Sequence, residues 1–547
     1  MTKPLFLARL VGTQAEMGAQ HGRLVADDAR RLLAFYRTMP ERTLAGDMPA
    51  IGRWVARSVA QAWQARLARD RPAELAARTR AFVEAAGAAD PDEAVRTFAT
   101  MDALQNCIAV TARANLGPFT TRALASAIPA CSTLIAWGDK TSDGELLFGR
   151  NFDFPGIGVW DEAPAFVACV PARGQAYGFF TTRGADAPVV TVVNEAGLVL
   201  APHTRFHTGV TWGGAMIVDL VHAIAARAET LADAIAIARE RPVSSSWGIA
   251  VGSARERSAI VLEIAGPRVE VVRPAPGAQY LACANRYRTA ALQPREITAS
   301  PAWEQQSEHR ERALRRFAEA GTRLTAQDIA RMLGDRDAHG ARRRLGSILA
   351  QPTNVHCAVI APAHRLAHVG VDRAPVCEGQ WAEIAWDWRG ASGAWEIGAA
   401  ENSGFTAKLH DAFVAPHDLA TRELGEATRI YETSHDVVAT LAAIERAIAA
   451  APEDPSLRLA GAWLALEGNA RDRAVRHVHE GLATERDPYR RGQLLLWGSR
   501  AATGAQAARW REELSRLDGD GVAALHAAAR KRHRARPHIN LMMAEAY

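Results

Sequence analysis

Hydrophobic patterning divides the 547-residue chain into three textures. Residues 1–130 mostly follow the helical period, with apolar positions three and four apart. The run Gly12-Thr-Gln-Ala-Glu-Met-Gly-Ala-Gln-His-Gly22 opens a capped helix, with Thr13 as N-cap and Glu16 three residues on. The period continues through 30–36 and 51–86, where Gly87 supplies a stop, and through 91–110, where Asn115-Leu-Gly-Pro breaks it. From 131 to about 400, short strand-like runs take over, at 131–137, 146–154, 166–170, 189–193, 197–201, 249–252, 259–264, 268–272 and 355–361. Helical stretches at 216–239 and 303–334, the second broken near Gly321, interrupt them. Strand runs mixed with helix pairs, without regular β-α-β punctuation, predict a layered α+β domain. Residues 401–547 return to helix. The expected division is a helical segment over 1–130, a main domain over 131–400 and a helical region over 401–547.

Within the last region, Pro452-Glu-Asp-Pro-Ser-Leu-Arg-Leu, Gly468-Asn469 and Ala474, followed by a helix at 489–502, resemble one tetratricopeptide unit. Stacked helical repeats need about three units to stand alone, so a helical cap packed on the main domain is expected. Self-association through these helices is the one macromolecular contact considered. The hydrophobic share of 48% and charged share of 23% are those of a globular protein. No stretch reaches the ~18 apolar residues of a membrane span, and Arg9 interrupts the short apolar run at the N-terminus. The expectation is a cytoplasmic protein that binds neither membrane nor nucleic acid. The net charge of +5 draws on Arg530-Lys-Arg-His-Arg-Ala-Arg536, read as a solvated terminus. The cysteines at 107, 131, 169, 283, 357 and 377 show no Cys-x-x-Cys pair, and free thiols are expected. Neither the histidines around 203–207 nor those around 364–368 supply an obvious full ligand set, so no metal and no cofactor is expected.

Cys131 differs from the other cysteines in its surroundings. It heads Cys131-Ser-Thr-Leu-Ile-Ala-Trp, a turn follows around Asp143-Gly144, and a second run ends in Gly149-Arg-Asn-Phe-Asp-Phe154. Antiparallel pairing brings Asp153 within about three residues of Cys131, and facing residues sit ~5 Å apart. A carboxylate there repels a thiolate but suits an ammonium, which exists only if the Ala130–Cys131 bond is cut. The freed α-amine, with a pKa near 8, then serves as the thiol's general base. Arg150 favours thiolate. Strand alternation puts Arg150 and Asp153 on opposite faces, so one site holding both requires a sharp twist or a bulge.

These residues resemble the cysteine-type N-terminal nucleophile hydrolases: choloylglycine hydrolases, acid ceramidase and, most closely, the isopenicillin-N acyltransferase-like autoproteolytic family. Gly12-Thr-x-x-Glu-Met-Gly-x-Gln-x-Gly22 is similar to that family's pro-segment, Asn194-Glu-Ala-Gly-Leu198 to its Asn-Glu-x-Gly-Leu motif, and Ala282-Cys-Ala-Asn285 to its later site asparagine. Ala130 stands where the family often has glycine, and Arg286 where it often has histidine; for a second site arginine the sequence offers Arg288. The resemblance implies an αββα four-layer sandwich. It also implies self-cleavage at Ala130–Cys131 and a mature site of Cys131, Arg150, Asp153, Asn194 and Asn285, with Asn194 binding the oxyanion. The activity implied is cleavage or transfer of the acyl group of a small-molecule, non-peptide amide. Asn194-Glu-Ala-Gly also reads as a plain turn. Two rivals are an uncut protein with an inert Cys131 that works through its C-terminal helices, and a Cys–His thiol hydrolase using one of His203, His207, His356, His364 or His368.

Overall fold

The computed structural model describes residues 3–45, 50–115, 130–298, 301–321, 323–398, 403–411, 413–530, 539–540 and 545–546. The basic run at 531–536 lies outside them, as does most of the Asn115-Leu-Gly-Pro break.

Two large sheets form the centre. The seven-stranded one runs in the order Tyr280–Cys283, Ala130–Ala136, Leu147–Asp153, Asn354–Ala361, Leu366–Gly370, Trp381–Trp386, Phe405–Leu409. The nine-stranded one runs Arg268–Val272, Ser258–Ala265, Ser246–Ser253, Leu198–Thr204, Thr191–Asn194, Tyr177–Thr182, Pro164–Pro171, Phe6–Gly12, Gly393–Glu396. Alternation gives every inner strand two apolar faces. Ile135, Phe148, Ala358 and Ile360 of the first sheet meet Phe166, Ala168, Val193, Ala250 and Val261 of the second in one buried core. On the outer face of the seven-stranded sheet, Leu134, Leu147, Cys357 and Val359 pack against Leu314 of helix Pro301–Glu319 and Ile329 and Leu333 of helix Ala326–Leu333. On the outer face of the nine-stranded sheet, Leu200, Val251 and Leu262 pack against Leu220 and Ile224 of helix Ile217–Arg227 and Leu231 and Ile237 of helix Leu231–Glu240. Helix, sheet, sheet and helix make the expected αββα sandwich.

The N-terminal segment is not wholly helical. Phe6–Gly12 is a strand, parallel to Pro164–Pro171 on one side and antiparallel to Gly393–Glu396 on the other. The stretch expected as one helix over 51–86 is two, Ala50–Arg69 and Ala73–Ala85, because Pro72 begins the second and lacks the N–H the first would need to continue. The Thr13–Glu16 capping box is present at the head of Gln14–Leu24. The glycines of that motif have a packing reason. A Cβ on Gly18 would stand 2.2 Å from Arg78 O, and one on Gly22 2.3 Å from Phe82 O, so only glycine lets this helix lie on helix Ala73–Ala85.

Past residue 400, Phe405–Leu409 still belongs to the seven-stranded sheet. Among the described residues seven helices then follow, from Leu419–Ser434 to Val522–Arg530. Asp418, Asp436, Asp454 and Asp487 accept hydrogen bonds from first-turn amides of four of them. The helices share a core including Leu441, Ile444, Leu457, Trp463, Leu494 and Trp510. Buried ion pairs from Arg343 to Glu485 (2.7 Å) and Arg344 to Asp454 (3.2 Å) fasten them to the main domain. None of the described helices is long and apolar enough to cross a membrane.

Candidate active site

Asp153 lies within the expected three residues of Cys131 across the hairpin: Ala130 lies opposite Asp153, Cys131 opposite Phe152 and Thr133 opposite Arg150. Cys131 is 1% exposed. Its side chain shares the intersheet face with Thr133 and Ile135, and Arg150 shares that face on the partner strand. Arg150 Nη2 donates to Cys131 Sγ at 3.3 Å and to Pro202 O at 2.5 Å. Nη1 of the same guanidinium lies 2.8 Å from His203 Nε2. A guanidinium can only donate, so His203 Nε2 accepts and the ring proton sits on Nδ1. Burial, reinforced by Arg150, Arg205 and Arg310, holds His203 well below its ordinary value, so it is neutral.

All six cysteines are free and buried, and two others also touch arginine. Arg78 donates to Cys169 and Arg205 to Cys283, at 3.6 and 3.5 Å. Those guanidiniums are neutralised by Asp186 and Glu263. The partners recorded for Arg150 are uncharged: Thr133, His203, the Pro202 carbonyl and the Cys131 thiol. Its positive charge is therefore available to a thiolate at Cys131 in a way the other two are not. In the continuous chain burial still pushes the thiol up, with Arg150 and Arg310 opposing and Asp153 adding to the rise.

Asp153 faces the other way, with Asn151 and Gly149, toward the outer helices. Asn354 Nδ2 donates to its Oδ1 at 2.8 Å, while Oδ2 is buried with no hydrogen-bond partner among the described residues. Burial pushes this carboxyl up to about 7, against the pull of Arg310, the Asn354 bond and Arg150. Both groups serve one residue because Cys131 heads its strand. Its thiol turns to one face, and its backbone nitrogen lies beside Ala130, whose cross-strand partner is Asp153. The irregularity expected in the Arg150–Asp153 strand falls instead in its neighbour, where the register slips between Asn354 and His356.

Asn285 accepts the Cys131 backbone N–H at 2.9 Å through Oδ1, and its Nδ2 donates to Thr204 O at 2.9 Å. Arg310 Nη2 donates to the same Oδ1 at 3.0 Å, while Nη1 donates to Cys131 O at 2.5 Å and Ser132 Oγ at 3.0 Å. The arginine brought beside Cys131 is thus Arg310, not Arg288. Arg288 pairs with Glu311 at 2.7 Å, and Arg286 with Glu296 at 2.9 Å.

Asn194 is not brought to Cys131. Its Nδ2 donates to Ala225 O and Ala228 O at the end of helix Ile217–Arg227, and its Oδ1 accepts Leu198 N–H. It sits by the start of strand Leu198–Thr204, whereas the site lies at the Pro202–His203 end, about 16 Å along at ~3.3 Å per residue. The turn reading of Asn194-Glu-Ala-Gly holds, and the oxyanion role assigned to Asn194 does not.

Beside the hairpin lies a cavity of about 100 Å³, lined by Phe152, Phe154 and Pro202 together with Tyr36, Phe98 and Met101 of the N-terminal segment. Its two carboxylates are occupied: Arg78 and His21 hold Asp186, and Trp247, Ser245 and the Ile217 amide hold Asp102. What remains for a ligand is apolar. Trp160 closes one wall from a loop whose Gly156 and Ile157 amides donate to Glu432 of the C-terminal helices, at 3.0 and 3.2 Å.

Residues 140–374 match the family described as Acyl-coenzyme A:6-aminopenicillanic acid acyl-transferase. Among solved structures, the chain is similar to a Caenorhabditis elegans N-acylethanolamine-hydrolyzing acid amidase ortholog, at 15% identity and TM-score 0.31 over 42% of this chain and 93% of that one. It is also similar to an arginine-to-leucine variant of conjugated bile acid hydrolase from Clostridium perfringens, at 12% identity and TM-score 0.30 over 53% and 99%. Comparison with curated proteins gives no match.

Proposed function

We propose that this chain is a self-cleaved cysteine amidase or acyltransferase of the N-terminal nucleophile kind, a reading supported by the match of residues 140–374 to the acyl-coenzyme A:6-aminopenicillanic acid acyl-transferase family. The substrate is a small-molecule linear amide with an apolar acyl group. One observation carries the reading: the thiol of Cys131 accepts a hydrogen bond from Arg150, whose other hydrogen-bond partners are uncharged, while Asn285 holds the Cys131 nitrogen next to Ala130, the cross-strand partner of Asp153.

In the first reaction the Cys131 thiol attacks the Ala130 carbonyl carbon. The C–N bond breaks, the acyl chain moves to sulfur, and the nitrogen takes the thiol proton. Water then cleaves the thioester, leaving a carboxylate on Ala130 and a free α-amine on Cys131. As ammonium, that amine lies where Asp153 and Asn285 can accept its hydrogens; as free amine it takes the thiol proton when Cys131 attacks a substrate carbonyl. The amide C–N bond then breaks, the amine product leaves with that proton, and water or a second amine releases the acyl group. The apolar cavity beside Phe152 receives the acyl chain.

Intact-mass measurement of the purified protein tests this. The expected result is two chains, 1–130 and 131–547, in wild type and one in Cys131→Ala. An uncut wild type whose amidase activity survives Cys131→Ala would sink the reading.

A further inference from the structure

At the edge of the seven-stranded sheet remote from the nucleophile hairpin, strands Leu366–Gly370, Trp381–Trp386 and Phe405–Leu409 lie side by side. Ala367 and Ala382 point into the intersheet core, so His368 and Glu383 point outward. There His368 stands opposite Glu383, and Glu383 opposite Lys408. His410 follows the end of the edge strand. His368 Nδ1 lies 2.9 Å from His410 Nε2 and 4.0 Å from Glu383 Oε2, and the three ligand atoms all fall within 4.8 Å of one another. Phe413 stacks on both imidazoles, with centroid separations of 4.8 Å to His368 and 4.3 Å to His410 and interplanar angles of 20° and 17°. Lys408 Nζ takes Glu383 Oε1 at 3.0 Å, which leaves Oε2 turned to the histidines.

Two imidazoles and a carboxylate converging on one point are a donor set that zinc-class ions accept, with water as a fourth ligand. Metal–nitrogen bonds of ~2.0–2.1 Å at a tetrahedral angle separate ligand atoms by about 3.3 Å. The two nitrogens would part by a few tenths of an ångström, and the carboxylate, 4.0 Å from His368 and within 4.8 Å of His410, would close by about 1.5 Å at most.

We propose that His368, Glu383 and His410 form a site for a divalent transition metal of the zinc class. The ion ties the edge strand to its sheet just before the chain passes to the C-terminal helices. The site draws on two strands and the residue after a third, so no short spacing marks it in the sequence.

Co²⁺ titration tests it, using metal-stripped full-length protein without a histidine tag. The expected result is one equivalent with the visible bands of a tetrahedral ion, no thiolate charge-transfer band, and displacement by Zn²⁺. His410→Ala is expected to lose that equivalent. Glu383→Gln, which keeps the side-chain size, is expected to weaken it roughly tenfold or more. Wild type that binds no equivalent, or Glu383→Gln that binds as tightly as wild type, would overturn the proposal and leave an imidazole–imidazole hydrogen bond. Glu383→Gln decides the matter even where His410→Ala fails to fold.

Discussion

Asp153 is costly in the uncut chain. Burial raises its carboxyl from an ordinary 3.8 to about 7. A group raised in the fold binds a proton there that the unfolded chain has lost, so between roughly pH 4 and 7 stability falls as pH rises. At about 1.4 kcal/mol per unit, the full penalty is on the order of 4 kcal/mol, reached above pH 7. In a Cys131→Ala protein, which stays whole, Asp153→Asn should therefore raise Tm at pH 8 and leave it nearly unchanged at pH 4. In a wild type cut as proposed, the α-ammonium of Cys131 would compensate the charge, and the same substitution should lower Tm. A sign that does not reverse between the two backgrounds would show that Asp153 does not wait for that amine. Cys131, Arg150 and Asp153 are legible in the sequence because a hairpin joins them, and its turn brings Asp153 within three residues of Cys131. Arg310 is not legible. It shares its helix with Arg312, Arg315 and Arg316, and only burial against Cys131 and Ser132 distinguishes it. Asn194 misleads for a related reason, since one short Asn–Gly pattern serves a turn as well as a catalytic loop.

Among the secondary-structure elements, the hairpin depends on a close approach. A Cβ on Gly149 would stand 2.3 Å from Ile329 Cγ2 of helix Ala326–Leu333, so that helix settles directly over the nucleophile strands. Gly149→Ala should force it outward and cost about 1–3 kcal/mol, read as a lower Tm, with slower self-cleavage because the outer helices hold Arg310 and Asn151. Unchanged stability would mean the helix can shift without loss. Element existence is well marked where strands are flanked by turns, as at 131–137 and 355–361. The strands at 177–182, 366–370 and 381–386 pair with neighbours in sequence and are flanked by glycines such as Gly174, Gly184 and Gly379, yet their own composition does not single them out. The bulge is similar: sequence alternation demands one near Asp153, while the fold places it beside Asn354, where it turns that amide onto the carboxyl.

At the scale of the whole molecule, the N-terminal segment is structural as well as preparatory. Tyr36, Phe98 and Met101 wall the cavity beside Phe152, and strand Phe6–Gly12 is held between Pro164–Pro171 and Gly393–Glu396. Both flanking strands lie on the far side of the Ala130–Cys131 bond. The cut pieces should therefore co-elute in native buffer and separate only in denaturant; a 131–547 piece that elutes alone would contradict this arrangement. None of this was visible from the sequence, which marks 1–130 only as helical.

That interleaved strand also sets the order of the folding reaction. While the chain is whole, Phe6–Gly12 reaches its slot tethered, so recovery from denaturant is first order and indifferent to dilution. Once the bond is gone, the slot must be filled by a separate molecule arriving from solution, and recovery becomes second order. Cys131→Ala protein diluted from denaturant should regain its fold at any concentration, whereas the cut protein should recover less the more it is diluted. Maturation would then be a ratchet: it leaves the native contacts in place and removes the easy way back to them.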